Sequence, residues 1–178
     1  MKPAGIAKKT FSKREPVKTA AVLTISDSSF QRKREDVSGP AVVRQLEAAG
    51  FRVIHASIVP DEKDLIAART IECSEVARLV VTVGGTGIAP RDVTPEATRG
   101  IAERLVEGIP EKMRREGAAK TPLAALSRGI CGIRGQALLL NLPGSPAAAV
   151  ESLEAVLEIL PHALELLSGN TEHANTRK

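Results

Sequence analysis

Two aspartates and a run of glycines are the residues in this sequence best suited to chemistry. Gly84-Gly85-Thr86-Gly87 follows an apolar stretch, and Pro90-Arg91-Asp92-Val93-Thr94-Pro95-Glu96 comes just after it. Three more small or polar segments also follow apolar stretches: Ser26-Asp27-Ser28, Pro60-Asp61-Glu62 and Pro143-Gly144-Ser145-Pro146. Small residues let main-chain N–H groups come close to a ligand. Helix N-termini carry partial positive charge and favour phosphate. Two carboxylates beside bound phosphates, Asp61 and Asp92, suit Mg²⁺, which takes a few protein oxygens together with phosphate oxygens. The set points to nucleotide chemistry at phosphorus, where positioning and charge neutralisation do most of the catalysis.

Each piece also has a plainer explanation. The glycine run is a weak signal alone and fits a tight turn. It is neither a Walker loop, since no Lys-Ser or Lys-Thr follows, nor a Gly-x-Gly-x-x-Gly fingerprint. Asp61 taken alone reads best as the N-cap of the helix after Pro60, and Asp27 as an Asx-turn residue. Thr94-Pro95-Glu96 and Ser145-Pro146 are ordinary helix starts, a cap before a first-turn proline. Cys73 and Cys131 read as small buried hydrophobes and His55 and His162 as structural. Lys33, Arg34 and Glu35 read as a solvated loop.

The elements that must position these residues alternate along the chain. Residues 20–25, 52–59, 79–83 and 137–142 read as strands, and 130–134 as a hairpin arm punctuated by Gly129, Gly132 and Gly135. Helical spacing covers 39–49, 61–77, 95–106, 110–118 and a long run over 146–168 that stops at Gly169. Strands separated by helices pair in parallel, and near-continuous apolar strands need helices on both faces. The expected fold class is therefore α/β: a three-layer αβα sandwich on a mostly parallel sheet, spanning residues 18–169. In such a sheet ligands gather outside the carboxyl ends of the strands, so all the junctions above should share one rim.

Composition excludes other classes. Of 178 residues, 43% are hydrophobic and 26% charged, a globular balance. Apolar runs such as Leu79-Val80-Val81 are far shorter than the ~18 residues that suggest a membrane span. With three Phe and no Tyr or Trp, stacking platforms for bases are poorly supplied. Two Cys and three His, all far apart, give no zinc spacing. The net charge of +4 originates in Lys2, Lys8, Lys9, Lys13, Arg14 and Lys18, set against Glu15 alone. Residues 1–17 thus read as a flexible basic arm, 170–178 as a loose terminus, and the body as slightly acidic. The expected partners are neither nucleic acid nor membrane. With no apolar signal core after Met1 and two unpatterned cysteines, the expected location is cytoplasmic.

Taken in order, the motifs resemble a known family. Thr24-Ile25-Ser26-Asp27-Ser28, Glu35-Asp36-Val37-Ser38-Gly39-Pro40, Val59-Pro60-Asp61-Glu62 and Gly84-Gly85-Thr86-Gly87 carry the first half of the resemblance. The second half lies on Pro90 to Thr98, Leu126-Ser127-Arg128, Gly132-Ile133-Arg134-Gly135 and Asn141-Leu142-Pro143-Gly144-Ser145-Pro146. This ordered set resembles the MogA/MoaB molybdenum-cofactor proteins, including the G domains of plant Cnx proteins and of gephyrin.

The resemblance implies the molybdopterin-binding (MoaB/Mog-like) fold and a homotrimer. It implies adenylylation of molybdopterin by Mg²⁺-ATP, giving adenylyl-molybdopterin and pyrophosphate, with a separate downstream protein inserting molybdate. It puts the two essential aspartates on Asp61 and Asp92, near Mg²⁺ and the reacting phosphates. Gly84, Gly85, Thr86 and Gly87 would line the nucleotide, with Ser26, Asp27, Ser38 and Gly39 in the same pocket. Ser127 and Arg128 would meet the pterin phosphate, and Ser145 would help close the site. Two other readings stay open. A non-catalytic molybdopterin-binding scaffold of the same pathway would bind pterin without turnover. A nucleotide hydrolase like the competence-damage proteins, which share the fold, would cleave ADP-ribose without pterin.

Overall fold

The computed structural model describes residues 18–169, so the basic arm 1–17 and the terminus 170–178 lie outside the described residues. In chain order the strands are β1 Thr19–Ile25, β2 Arg52–Val59, β3 Leu79–Val83, β4 Arg104–Leu105, β5 Cys131–Arg134 and β6 Ala137–Leu142. The helices are α1 Asp27–Phe30, α2 Ser38–Ala48, α3 Lys63–Ser74, α4 Thr94–Ile101, α5 Gly108–Ala118, α6 Pro146–Leu157 and α7 Leu160–Leu167, with a 3₁₀ turn at Pro122–Leu126.

The sheet runs β2-β1-β3-β6-β5-β4. β2, β1, β3 and β6 are parallel, while β5 is antiparallel to both β6 and β4. Every residue of β1, β3 and β6 is buried, which is why these strands read as unbroken apolar runs. The pleat divides them between two cores. Ala20, Val22, Val81 and Leu140 share one with Leu46 of α2, Met113 of α5, Leu153 of α6 and Leu164 of α7. Ala21, Leu23, Val80 and Leu139 share the other with Ile66 of α3 and Ala97 of α4. Helices therefore cover both faces, as the strand composition demands.

Other ends shift by a few residues, as where the helix read over 61–77 forms Lys63–Ser74, and three stretches differ more from the sequence reading. The helix expected over 95–106 stops at Ile101, and the chain turns extended at Ala102. There Glu103 and Val106 donate N–H groups to Ile133 and Cys131 (2.8 Å each), so the open edge of β5 captures the segment as β4. The run 146–168 is two helices, because Pro161 has no N–H to continue a helix and instead sits in the first turn of α7. Ser26-Asp27-Ser28 is not a bare loop: Ser26 caps the one-turn helix α1 through the Ser29 N–H (3.2 Å).

The connection out of β1 packs α2 on one face, whereas the one out of β2 packs α3 on the other. β1 is thus flanked by strands reached from opposite faces. A crevice opens at its carboxyl end, beside β3.

Candidate functional site

Glycine shapes the crevice. Gly84 (φ +112°) and Gly85 (φ +63°) both adopt left-handed backbone that other residues resist. A Cβ at Gly84 would overlap the Ile25 carbonyl, and one at Gly85 would overlap Thr94 Oγ1. The turn is tied down at both ends. Gly84 N–H donates to Leu142 O (3.0 Å), Thr94 Oγ1 donates to Gly84 O (2.9 Å), and Thr94 N–H donates to Gly85 O (3.1 Å). Thr94 therefore locks the start of α4 to the turn and makes no capping bond of its own.

Both aspartates stand against this turn. A Cβ at Gly85 would lie 3.3 Å from Asp61 Oδ1, and one at Gly87 would lie 2.8 Å from Asp92 Oδ2. Asp61 is not the helix cap that its position after Pro60 suggests, since α3 begins only at Lys63 with Glu62 before it. Its Oδ2 instead accepts the Asp27 N–H (2.8 Å), while Asp27 Oδ1 accepts the Asp61 N–H (3.0 Å). The Asx turn expected at Asp27 gives way to this reciprocal pair, and Arg91 closes an ion pair on the other oxygen of Asp27. Asp92 Oδ2 accepts the Ala89 N–H (2.8 Å).

The electrostatics follow from this crowding. Partial burial, then the neighbouring Asp27 and Asp92 charges, push the Asp61 carboxyl above its ordinary value, against the Asp27 N–H and Arg91. The N–H of Asp61 and the Arg91 guanidinium hold Asp27 below its own.

Two clefts flank the turn and share Gly85, Gly144 and Ser145. The first, about 340 Å³, is the more polar of the two, with Ser26, Ser38, Arg34 and Asp36 among its walls. The second, about 450 Å³, takes in Thr86, Gly87, Asp92 and Ser127, with apolar walls from Met113, Leu123 and Leu126. Ser38 Oγ donates to Gly144 O (2.7 Å), and Ser145 caps α6 through the Ala148 N–H (3.3 Å). Gly39 lies just outside the polar cleft, its N–H bonded to Asp36 Oδ1 (3.0 Å). Arg128 faces neither of these clefts. It lines a third, about 480 Å³, on the far side of Ser127 and Gly129.

Sequence reasoning missed two contributors. Arg34, set aside as part of a solvated loop, lines the polar cleft, and its guanidinium has no partner among the described residues. The 3₁₀ turn that supplies Leu123 and Leu126 to the apolar cleft was signalled only by Thr121-Pro122. The cysteines are buried, as expected, and burial pushes the Cys73 thiol up to about 11 and the Cys131 thiol up to about 12.

Among the described residues, no group of three or more His, Cys, Asp or Glu stands ready to hold a metal. The site offers two carboxylates, each with Oδ2 engaged and Oδ1 without a hydrogen-bond partner among the described residues. That donor set fits a hard cation that keeps most of its shell as water and phosphate oxygen, as Mg²⁺ does.

Known proteins resemble this chain in sequence and in fold. A family profile described as "Probable molybdopterin binding domain" matches residues 21–162. The chain is 46% identical over 154 residues to the molybdenum cofactor synthesis protein cinnamon of Drosophila melanogaster, covering 84% of this chain but only 25% of that one. It is 41% identical to the molybdopterin adenylyltransferase of Helicobacter pylori strain J99, covering 88% of this chain and 91% of that one. The crystal structure of the molybdopterin biosynthesis enzyme MoaB from Thermus thermophilus superposes with a TM-score of 0.79 at 50% identity, covering 85% of this chain and 96% of that one.

Proposed function

This chain belongs to the molybdopterin-binding domain family, and from that premise we propose that it is an enzyme of molybdenum cofactor biosynthesis that adenylylates molybdopterin. One observation carries the reading: Asp61 and Asp92 flank a single glycine turn that has a polar cleft on one side and an apolar cleft on the other. A nucleoside triphosphate suits the polar cleft, where Ser26, Ser38 and the turn offer hydrogen-bond partners and Arg34 a positive charge. A pterin suits the apolar cleft, with Ser127 and Ser145 near its phosphate.

In the reaction a phosphate oxygen of molybdopterin bonds to the α-phosphorus of ATP. The bond from that phosphorus to the α,β-bridging oxygen breaks, and pyrophosphate leaves. The turn and its flanking serines hold the two phosphates in line, and the apolar walls exclude water, which would otherwise compete as acceptor. Mg²⁺, held by Asp61 and Asp92, would supply charge neutralisation at the reacting phosphates. Arg34 would stabilise the departing pyrophosphate. The resemblance adds a homotrimer, a cytoplasmic location and a molybdate-inserting protein downstream. No helix among the described residues is long and apolar enough to cross a membrane.

The test is pyrophosphate release. It should require ATP, Mg²⁺ and molybdopterin together, and Asp92→Asn should lower the rate at least about a hundredfold with the fold intact. Asp92→Asn turning over like wild type would remove the metal assignment. Pterin binding without any ATP-dependent product would favour a non-catalytic scaffold.

A further inference from the structure

Arg128 makes more hydrogen bonds than any other described side chain around the site, yet it is not among the residues lining the pterin cleft. Its main-chain N–H donates to Thr86 O (2.8 Å). Its Nε donates to Gly87 O (2.7 Å) and its Nη2 to Asp92 O (2.5 Å). Nη1 closes an ion pair on Glu96 Oε1, and Nη2 also reaches Glu96 Oε2 (3.4 Å). Three segments far from residue 128 in sequence thus converge on one guanidinium: the glycine turn, the Asp92 loop and the first turn of α4. A guanidinium has five N–H donors, and these contacts occupy four. The one left cannot form the bidentate fork by which arginine grips a phosphate.

We infer that Arg128 is a positioning residue, a clamp that fixes Asp92 against the glycine turn, and not a ligand of the pterin phosphate. The inference rests on the proposed adenylyl transfer, in which Asp92 holds Mg²⁺. The Asp92 side chain makes one hydrogen bond within its own loop, to Ala89, so the loop's place relative to the turn depends on bonds to its main chain. Arg128 bonds the Gly87 and Asp92 carbonyls together and anchors both to α4 through Glu96. The Arg128 hydrogen bond in turn holds the Glu96 carboxyl below its ordinary value. Lysine, a point charge without a planar fork, could still attract a phosphate but could not span these three acceptors.

Glu96 makes the inference testable, because its carboxylate is engaged by Arg128 and it carries no substrate or metal role in the proposed reaction. The full-length chain is compared as wild type, Arg128→Gln, Arg128→Lys, Glu96→Gln and the Arg128→Gln/Glu96→Gln pair. Three quantities are measured: kcat with the Mg²⁺ half-saturation, the molybdopterin Kd without ATP, and hydrogen exchange of amides 86–92 without any ligand. A clamp predicts that both glutamine variants lower kcat about tenfold and raise the Mg²⁺ requirement, the loss expected for one charge-assisted hydrogen bond. It predicts an unchanged pterin Kd, no rescue by lysine, and a pair less damaged than the product of the singles. It also predicts faster exchange at 86–92 with exchange in β6 unchanged. The inference is overturned if Arg128→Gln weakens pterin binding tenfold while Arg128→Lys restores it and Glu96→Gln has no effect, or if exchange at 86–92 does not change. A wild-type chain without turnover would sink the adenylyl-transfer reading, and the exchange measurement would still decide the clamp.

Discussion

Asp61 and Asp27 each donate a main-chain N–H to the other's carboxylate, a geometry that serves the site at a cost to the fold. Partial burial and two neighbouring acids raise the Asp61 carboxyl, so its ionised form is disfavoured in the folded chain. The sign follows from linkage. A carboxylate whose folded value lies above its unfolded value destabilises the fold at higher pH, and the penalty vanishes once pH falls below the unfolded value of about 3.9. Asn at this position keeps an acceptor for the Asp27 N–H and removes the repulsion. Asp61→Asn is therefore expected to match or exceed wild type in Tm at pH 7, to lose that advantage near pH 4, and to lower turnover at least about a hundredfold. Thermal unfolding at the two pH values checks this, and a Tm several degrees lower at pH 7 would contradict it.

Asn141 in β6 decides how neighbouring elements sit together. Its Nδ2 donates to Thr82 Oγ1 in β3 and to Thr98 Oγ1 in α4 (2.9 Å each), and its Oδ1 accepts the Ile130 N–H (3.2 Å). Asn141, Thr82, Thr98 and Ile130 are all buried. Asn141→Ala strands two hydroxyls and an N–H without partners and should cost about 3 kcal/mol, read by denaturant unfolding as a lower midpoint at unchanged slope. The elements themselves were legible to different degrees. Strands buried on both faces announce themselves, so the strand expected over 79–83 matches β3 Leu79–Val83. β4 could not be read locally, because Arg104–Leu105 has no strand pattern and is recruited by the free edge of β5. The break before α7 was legible in Pro161 and was overridden by the strong apolar periodicity around it.

At the scale of the molecule, parallel topology is what made the site readable. Once β1, β3 and β6 run the same way, the segments after each must meet at one rim, and Ser26, Gly84, Gly85 and Ser145 do line one cleft there. What stayed hidden depended on long-range contacts that spacing does not encode: the Asp27–Asp61 exchange, the convergence on Arg128, and Arg34 turned to the cleft wall. The central claim is that two acids beside one turn direct a nucleotide's α-phosphate onto a pterin phosphate. Mass spectrometry of the products formed from molybdopterin and Mg²⁺-ATP tests it most directly. The account predicts a pterin species heavier by one adenylyl group, formed in equal amount with pyrophosphate and absent with Asp92→Asn. Unmodified pterin alongside ADP or AMP would contradict it.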